Sequence, residues 1–224
     1  MTFVKICGLK EQEHVQTAVN AGANFIGFVF APSKREVSIE QAKGLAKHIP
    51  AHVKKVGVFV NADETFLKEV YEKVPLDYIQ YHGDETNAFI QHIGLPAIKA
   101  LSIRNASDVL NAASYDVDYY LFDAPGTDYR GGSGHTFDWS LLEQSNIPRE
   151  KVILAGGLNP SNIAQAIGLV QPFAVDVSSG VEKDSVKDSA LIQSFLQAAK
   201  GANTQCQQRQ DVSEHTADNS YRKL

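Results

Sequence analysis

The chain carries few of the residues that anchor or stabilise a protein from outside its own core. Only two cysteines occur in 224 residues, Cys7 and Cys206, with no Cys-x-x-Cys pair. A disulfide scaffold and a cysteine zinc module are therefore excluded. Runs of Lys and Arg stop at two adjacent residues, as in Lys54-Lys55 and Arg222-Lys223, and the formal net charge is −5. Nucleic-acid binding needs a concentrated basic face, so no nucleic-acid partner is expected. No apolar run approaches ~18 residues, and the opening MTFVKICGLKEQEH lacks the apolar stretch of a signal peptide. The expectation is a soluble, cytoplasmic protein that does not engage a membrane. His48 and His52 are four apart, but Pro50 between them spoils a helical metal pair, and no cofactor motif occurs.

What is present is an ordinary globular composition, 43% apolar and 21% charged, arranged with a regular rhythm. Eight short apolar, β-branched or aromatic runs recur at 3–7, 25–30, 54–60, 78–83, 97–102, 119–124, 152–157 and 174–180. Their lengths suit buried strands. Stretches of helical character lie between them. Residues 11–21 place Val15, Ala18 and Val19 on one face. Ser38-Ile39-Glu40-Gln41 reads as a capping box opening a helix closed by Pro50. A helix follows Asn61-Ala62-Asp63, and Asn159-Pro160 reads as a helix start with proline at its first position. Further helical pieces fall at 85–93, 104–113, 137–144 and 188–200, of which 137–144 carries the weakest pattern.

Eight strands alternating with eight helices imply a parallel sheet covered by helices. An open doubly wound sheet would show a G-x-G-x-x-G fingerprint after the first strand, and KICGLKEQ has none. The expected fold is α/β, a single-domain (β/α)8 TIM barrel over residues 1–200. From Gly201 the periodicity stops, and 201–224 reads as a polar, flexible tail in which Cys206 is incidental.

Active sites of such barrels sit at the C-terminal ends of the strands. Gly156-Gly157 after the seventh strand and Ser178-Ser179-Gly180 after the eighth stand where barrels commonly bind phosphate, the competing reading being tight turns and helix caps. The glycine-rich stretch from Pro125 to Thr136 is a near miss to a P-loop, with Gly132 in place of the lysine, and reads as a lid. Cys7 ends the first strand on the same side as Lys5, which could lower its pKa; a small buried hydrophobe is the alternative. Asp123 ends an apolar strand, where a carboxylate is costly unless paired or functional. Asp176 has the same problem and could pair with Lys5. His82 fits an acid, a ligand-binder or a satisfied core histidine, of which the last is the most common. Arg35 suits a substrate carboxylate, or a solvated loop. The constellation suits proton transfer on a small sugar phosphate, without cofactor or metal.

The segments VKICGL (4–9), FIGFVFAPSKR (25–35), VGVFVN (56–61), IQYHGDE (79–85), LFDAPG (121–126), GGSGHTFDW (131–139), LAGGLNPSNI (154–163) and AVDVSSGVE (174–182) resemble the phosphoribosylanthranilate isomerase family, in order and across the barrel. The resemblance implies an Amadori rearrangement in tryptophan biosynthesis: N-(5-phosphoribosyl)anthranilate opens, loses its C2 proton and becomes the 1-deoxyribulose derivative. It implies Cys7 as general base at C2, Asp123 as general acid on the ring oxygen, and Arg35 near the anthranilate carboxylate. It puts Gly156, Gly157, Ser178, Ser179 and Gly180 on the phosphate, and His82 near the site in an unassigned role. His135 stands where the family commonly has lysine, and Ala124-Pro125 where serine often follows the aspartate. The expected partner is a small phosphosugar, bound by a monomer or homodimer. The retained Cys7 and Asp123 argue against a silent phosphosugar-binding module. The scarcity of lysine and glutamate at strand ends argues against indole-glycerol-phosphate synthase. Unperturbed, a thiol near ~8.5 and a carboxyl near ~3.9 sit in the wrong protonation states for these roles, by about 6 kcal/mol.

Overall fold

In the computed structural model the described residues are 1–125 and 136–204. Eight parallel strands close into a barrel in sequence order. They are β1 (Phe3–Cys7), β2 (Phe25–Val29), β3 (Lys54–Phe59), β4 (Tyr78–Tyr81), β5 (Ala97–Ser102), β6 (Tyr119–Asp123), β7 (Val152–Leu154) and β8 (Ala174–Val177). Closure is made by β8 against β1, with Lys5 opposite Asp176 and Ile6 opposite Val177. All eight expected strands are present, and several end one to three residues early. Gly156, Gly157, Ser178, Ser179 and Gly180 thereby fall in loops at the barrel mouth.

Strand alternation sorts side chains into two cores. One set faces the helices and forms the larger core, including Val4, Ile6, Ile26, Phe28, Phe59, Phe122, Leu154 and Val175. The other fills the barrel: Phe25, Val56, Ile98, Ala100, Leu121, Ile153, Ala155 and Ala174. Aromatic rings close the N-terminal end, with Tyr119 stacked on Phe173 at 4.6 Å and Phe3 edge-on to Phe173 at 5.0 Å. The same parity that buries Leu121 in the interior turns Asp123 inward, and Lys5, Cys7, Gln80 and Asp176 follow it.

The outer layer comprises α1 (Gln12–Ala21), α2 (Ile39–Ala46), α3 (Glu64–Lys73), α4 (Asn87–Ile93), α5 (Ala106–Asn111), α6 (Ile163–Val170) and a last helix, α7, at 189–204. Ser38 caps α2 by accepting from Gln41 N, but the expected box is half made, because the Gln41 amide donates to Lys10 O instead. The weakest expected helix, 137–144, is a 3-10 turn over Trp139–Gln144. Asp138 accepts from both the amide and the hydroxyl of Ser140, tightening its start. So short a segment gains too few bonds to repay α-helix nucleation. Asn159-Pro160 does not begin a helix either. Asn159 and Asn162 build a side-chain-stabilised turn, and α6 starts at Ile163.

α7 runs past the expected boundary at residue 200, with Ala202 and Asn203 buried. Asn203 clasps the first strand from the far end of the chain: its Oδ1 accepts from Thr2 N at 2.8 Å and its amide donates to Thr2 O at 2.9 Å. A four-residue extension of an amphipathic helix over polar letters (GANT) leaves no periodic signal. Residues 126–135, including His135 and most of the expected lid, and residues 205–224, including Cys206, lie outside the described residues. No helix among the described residues is long and apolar enough to cross a membrane.

Asn203→Ala leaves a buried N–H and C=O of Thr2 without partners, a loss of about 2 kcal/mol. In a chain this size the Tm should fall by roughly 4–8 °C. Thermal unfolding checks it, and cutting the chain after Lys200 should lower the Tm at least as much. An unchanged Tm in both would make the clasp ornamental.

Candidate active site

Lys5, fully buried inside the barrel, donates to Asp176 Oδ1 at 3.0 Å. Burial opposes its charge, but Asp176 and the neighbouring thiol outweigh burial and raise its pKa. Cys7 lies one pleat nearer the mouth. Burial pushes the thiol's pKa up and Lys5 pulls it down, with the net shift upward. Lys5 does lower the thiol's pKa, as expected, but desolvation is larger than the attraction of an ammonium that Asp176 already neutralises.

Room for this pair comes from Gly27, the strand neighbour of Cys7. A Cβ there would lie 2.8 Å from Cys7 Sγ and 3.2 Å from Lys5 Nζ. Gly27 was not singled out from sequence, although its place inside an otherwise bulky strand, FIGFV, is the signal that could have found it.

Asp123, at the end of β6, is buried. Its Oδ2 lies 3.5 Å from Nε2 of His82, and Nδ1 of that ring is 3.1 Å from the Gln80 amide nitrogen. Gln80 is two residues before His82 on β4 and points inward by the same alternation, a signal the sequence carried. The turn after β4 is held from outside the barrel. Lys99 on β5, 1% exposed, donates to Gly83 O at 2.8 Å and to Glu85 Oε2 at 3.2 Å. Glu85 in turn accepts from Asn61 N and Gly83 N.

The loops after β7 and β8 touch. A Cβ on Gly180 would overlap Leu158 O, and one on Gly156 would press on the Ala124 backbone, so both positions exclude any side chain. Gly156 and Gly157 have φ of +85° and +62°. Asn159 and Asn162 donate to Gly157 O, fixing that peptide. The structure brings Gly156, Gly157, Ser179 and Gly180 to one seam. Ser178 belongs to it but its hydroxyl donates to Cys7 O at 3.2 Å, tying the seam to the thiol's own backbone.

Arg35 lies along Gly8, where a Cβ would meet its Cδ at 2.7 Å. Its fork faces Glu182, with Nε to Oε1 at 2.6 Å and the second contact at 3.0 Å. Lys187 joins from the far side, donating to Glu182 at 2.8 Å and to Ser178 O at 2.7 Å. Burial alone would push the Glu182 carboxyl up, but Arg35 and Lys187 hold it at about 2. A cavity of about 110 Å³ opens beside Gly8 and Arg35, lined further by Lys10, Lys34 and Lys187. Glu182 and Lys187 were missed from sequence because they sit on a two-residue hairpin, Glu182–Lys183 against Val186–Lys187, too short for any periodic pattern.

The comparisons agree with one another. The family model for N-(5'-phosphoribosyl)anthranilate isomerase matches residues 4–198. A curated N-(5'-phosphoribosyl)anthranilate isomerase of Listeria monocytogenes is 48% identical over 199 residues, covering 89% of this chain and 98% of that protein. The crystal structure of the Thermotoga maritima phosphoribosyl anthranilate isomerase superposes with a TM-score of 0.80 at 39% identity, over 90% of this chain and 100% of that one. A phosphoribosyl anthranilate isomerase in complex with reduced 1-(o-carboxyphenylamino)-1-deoxyribulose 5-phosphate superposes at 0.77 with 37% identity, over 90% and 100% of the two chains. With a family match over nearly the whole barrel, the chain belongs to the N-(5'-phosphoribosyl)anthranilate isomerase family.

Proposed function

We infer that this chain isomerises N-(5-phosphoribosyl)anthranilate to 1-(2-carboxyphenylamino)-1-deoxyribulose 5-phosphate, with Cys7 as general base and Asp123 as general acid. The observation that carries this reading is the inward placement of a thiol and a carboxylate at the mouth ends of two different strands, beside a glycine seam. Two proton transfers on one sugar need two groups, and strands β1 and β6 lie apart around the ring. Asp123 protonates the ring oxygen as the furanose opens; Cys7 takes the C2 proton from the resulting Schiff base.

The phosphate sits on amides near Gly157 and in the Ser178–Gly180 loop. Backbone donors suit it because the seam leaves no space for side chains, and the Asn159–Asn162 turn holds Gly157 rigid. Ser178, engaged with Cys7 O, contributes backbone more than hydroxyl. Arg35 faces the anthranilate carboxylate with donors that Glu182 leaves free, two of its five N–H groups being engaged. Glu182 then keeps the fork aimed, and Lys34, Arg35 and Lys187 outnumber it in charge. The enzyme works in the cytoplasm as a monomer or homodimer.

Turnover of freshly made phosphoribosylanthranilate, followed by loss of its fluorescence, tests the activity directly; no turnover by the intact chain would leave a silent binding module.

Cys7→Ser should lose at least ~10²-fold in kcat with KM little changed, because a hydroxyl is far less acidic than a thiol. Asp123→Asn should lose as much, since an amide donates no useful proton. Steady-state kinetics with a melting curve separates these losses from unfolding. A Cys7→Ser variant that keeps kcat while melting early would make the thiol structural.

Gly157→Asp should raise KM strongly by crowding and repelling the phosphate. A crystal with sulfate or product phosphate bound elsewhere, or an unchanged KM, would remove the seam from substrate binding.

A further inference from the structure

The reading of Asp123 as general acid leaves it short of a proton. A free carboxyl near ~3.9 is protonated about one time in a thousand at pH 7. What stands next to it is His82, whose Nε2 is 3.5 Å from Asp123 Oδ2. That separation is slightly longer than a hydrogen bond, as catalytic contacts often are before substrate closes the site. The other face of the ring meets Gln80, 1% exposed, through a 3.1 Å contact between the amide nitrogen and Nδ1. The remaining end of that amide, Oε1, is buried and has no hydrogen-bond partner among the described residues.

We propose that His82 stores the proton that Asp123 delivers, and that the Gln80 amide turns over to support the ring in both of its protonation states. With the ring neutral, Gln80 donates its N–H to Nδ1 and Nε2–H faces the carboxylate. With the ring protonated, both ring nitrogens are donors. Rotation of the amide by half a turn then presents the otherwise orphaned Oε1 to Nδ1–H. The proton on Nε2 passes to Asp123 Oδ2, and from there to the sugar ring oxygen as its bond to C1 breaks. The ring is left neutral as its Nδ1–H tautomer, still donating to Oε1, and the carboxylate is left anionic. A proton taken up from solvent at Nε2 recharges the ring for the next turnover, balancing the proton that the Cys7 thiol later releases. A buried amide with one satisfied and one unsatisfied end is what such an exchange requires, since each state engages a different end.

Among the described residues, the other charged groups on the elements around His82 are placed as follows. Glu85, in the turn after β4, pairs with Lys99 of β5. Across the barrel, Lys5 of β1 pairs with Asp176 of β8, with the Cys7 thiol above them. On β3, Lys54 and Lys55 pair with Asp77 at the opposite end of the barrel. Asp84 is exposed on the turn itself. Among the described residues, Asp123 is the carboxylate set against the ring nitrogen, at 3.5 Å.

Active enzyme needs the thiolate and the stored proton at once. An imidazole is intrinsically a stronger base than a carboxylate, so a proton held on the ring coexists with the thiolate more readily than one held on the carboxyl alone. His82 acts through Asp123 and is a positioning and storage residue in that sense.

The pH dependence of kcat/KM from pH 5 to 9 tests it, since this ratio reports groups in the free enzyme. In the unaltered enzyme the acid limb should fall in the histidine range. His82→Gln should flatten that limb down to pH 5, moving it toward the carboxyl range, and lower the plateau by about 10²-fold with the Tm nearly kept. Gln80→Glu should move the acid limb upward by stabilising the charged ring, and Gln80→Met downward. A histidine that only packs would lower the rate and Tm of His82→Gln without moving the limb, and that outcome overturns the proposal. Titration of the His82 ring by ¹⁵N NMR gives an answer independent of turnover: its pKa should fall in Asp123→Asn. If the ring pKa ignores Asp123, the dyad fails. If the ring responds while Asp123→Asn keeps its rate, the pairing stands and the assignment of the acid is what fails.

Discussion

A lysine ammonium with no solvent exposure stands at the centre of this barrel, and most of the site follows from accommodating it. Moving such a charge out of water costs several kcal/mol, and only a close partner with good geometry repays it. Asp176 supplies that partner from the neighbouring strand, at the one seam where the last strand meets the first. The pair therefore ties chemistry to closure, because misregister of β8 on β1 would leave two buried charges unmet. It also dictates Gly27, since any side chain there would displace the ammonium or the thiol above it.

The same device recurs outside the barrel wall. Lys99 is buried between the strands and the helices, with Glu85 and the Gly83 carbonyl around its ammonium and the Tyr115 ring 5.4 Å away. It fixes the turn from which His82 reaches inward. At the rim, Glu182 takes Arg35 on one side and Lys187 on the other, and Lys187 continues to Ser178. Each cluster ties together separate strands or loops of the barrel. Each holds a strand end whose neighbour is a site residue: Cys7, His82, or the seam at Ser178. Breaking one partner of such a pair is expensive, so these ends are stiff without long helices at their loops.

How much of this was readable depends on which signal carries it. The eight strands were legible because a buried parallel strand needs a short apolar run, and eight such runs leave few ways to close. The parity of a strand told that Lys5 and Cys7 share a side, and by the same rule would have placed Gln80 with His82. Parity gives the side a residue faces; it does not give the partner across the ring, so His82 with Asp123 and Arg35 with Glu182 were invisible. The segment at 137–144 and the Asn159-Pro160 turn failed as helices because Asp138 and Asn159 satisfy local amides with their own side chains, competing with the helix. The end of α7 failed because Asn203 is polar and yet buried, on the strength of two bonds to a residue two hundred positions away.

The thiol's raised pKa sets a limit on any account of the reaction. An enzyme turning over near 10 s⁻¹ works against a total barrier of about 16 kcal/mol. Starting from the unperturbed values, placing the proton on the carboxyl and removing it from the thiol takes up about 6 of these, leaving roughly 10 for bond making and breaking. Burial of Cys7 takes a further share, so the electrostatics at rest work against the thiolate. Two arrangements oppose that loss without any new group. One keeps the proton on a base of intermediate strength beside Asp123. The other lets the substrate change the field at Cys7, since its phosphate and carboxylate draw on the seam and on Arg35, altering the charges that the thiol faces. The two act on different members of the pair, one raising the supply of acid and the other the supply of base, and their effects multiply in the rate. A site can therefore tolerate a desolvated cysteine as its base provided that neither contribution is left to act alone.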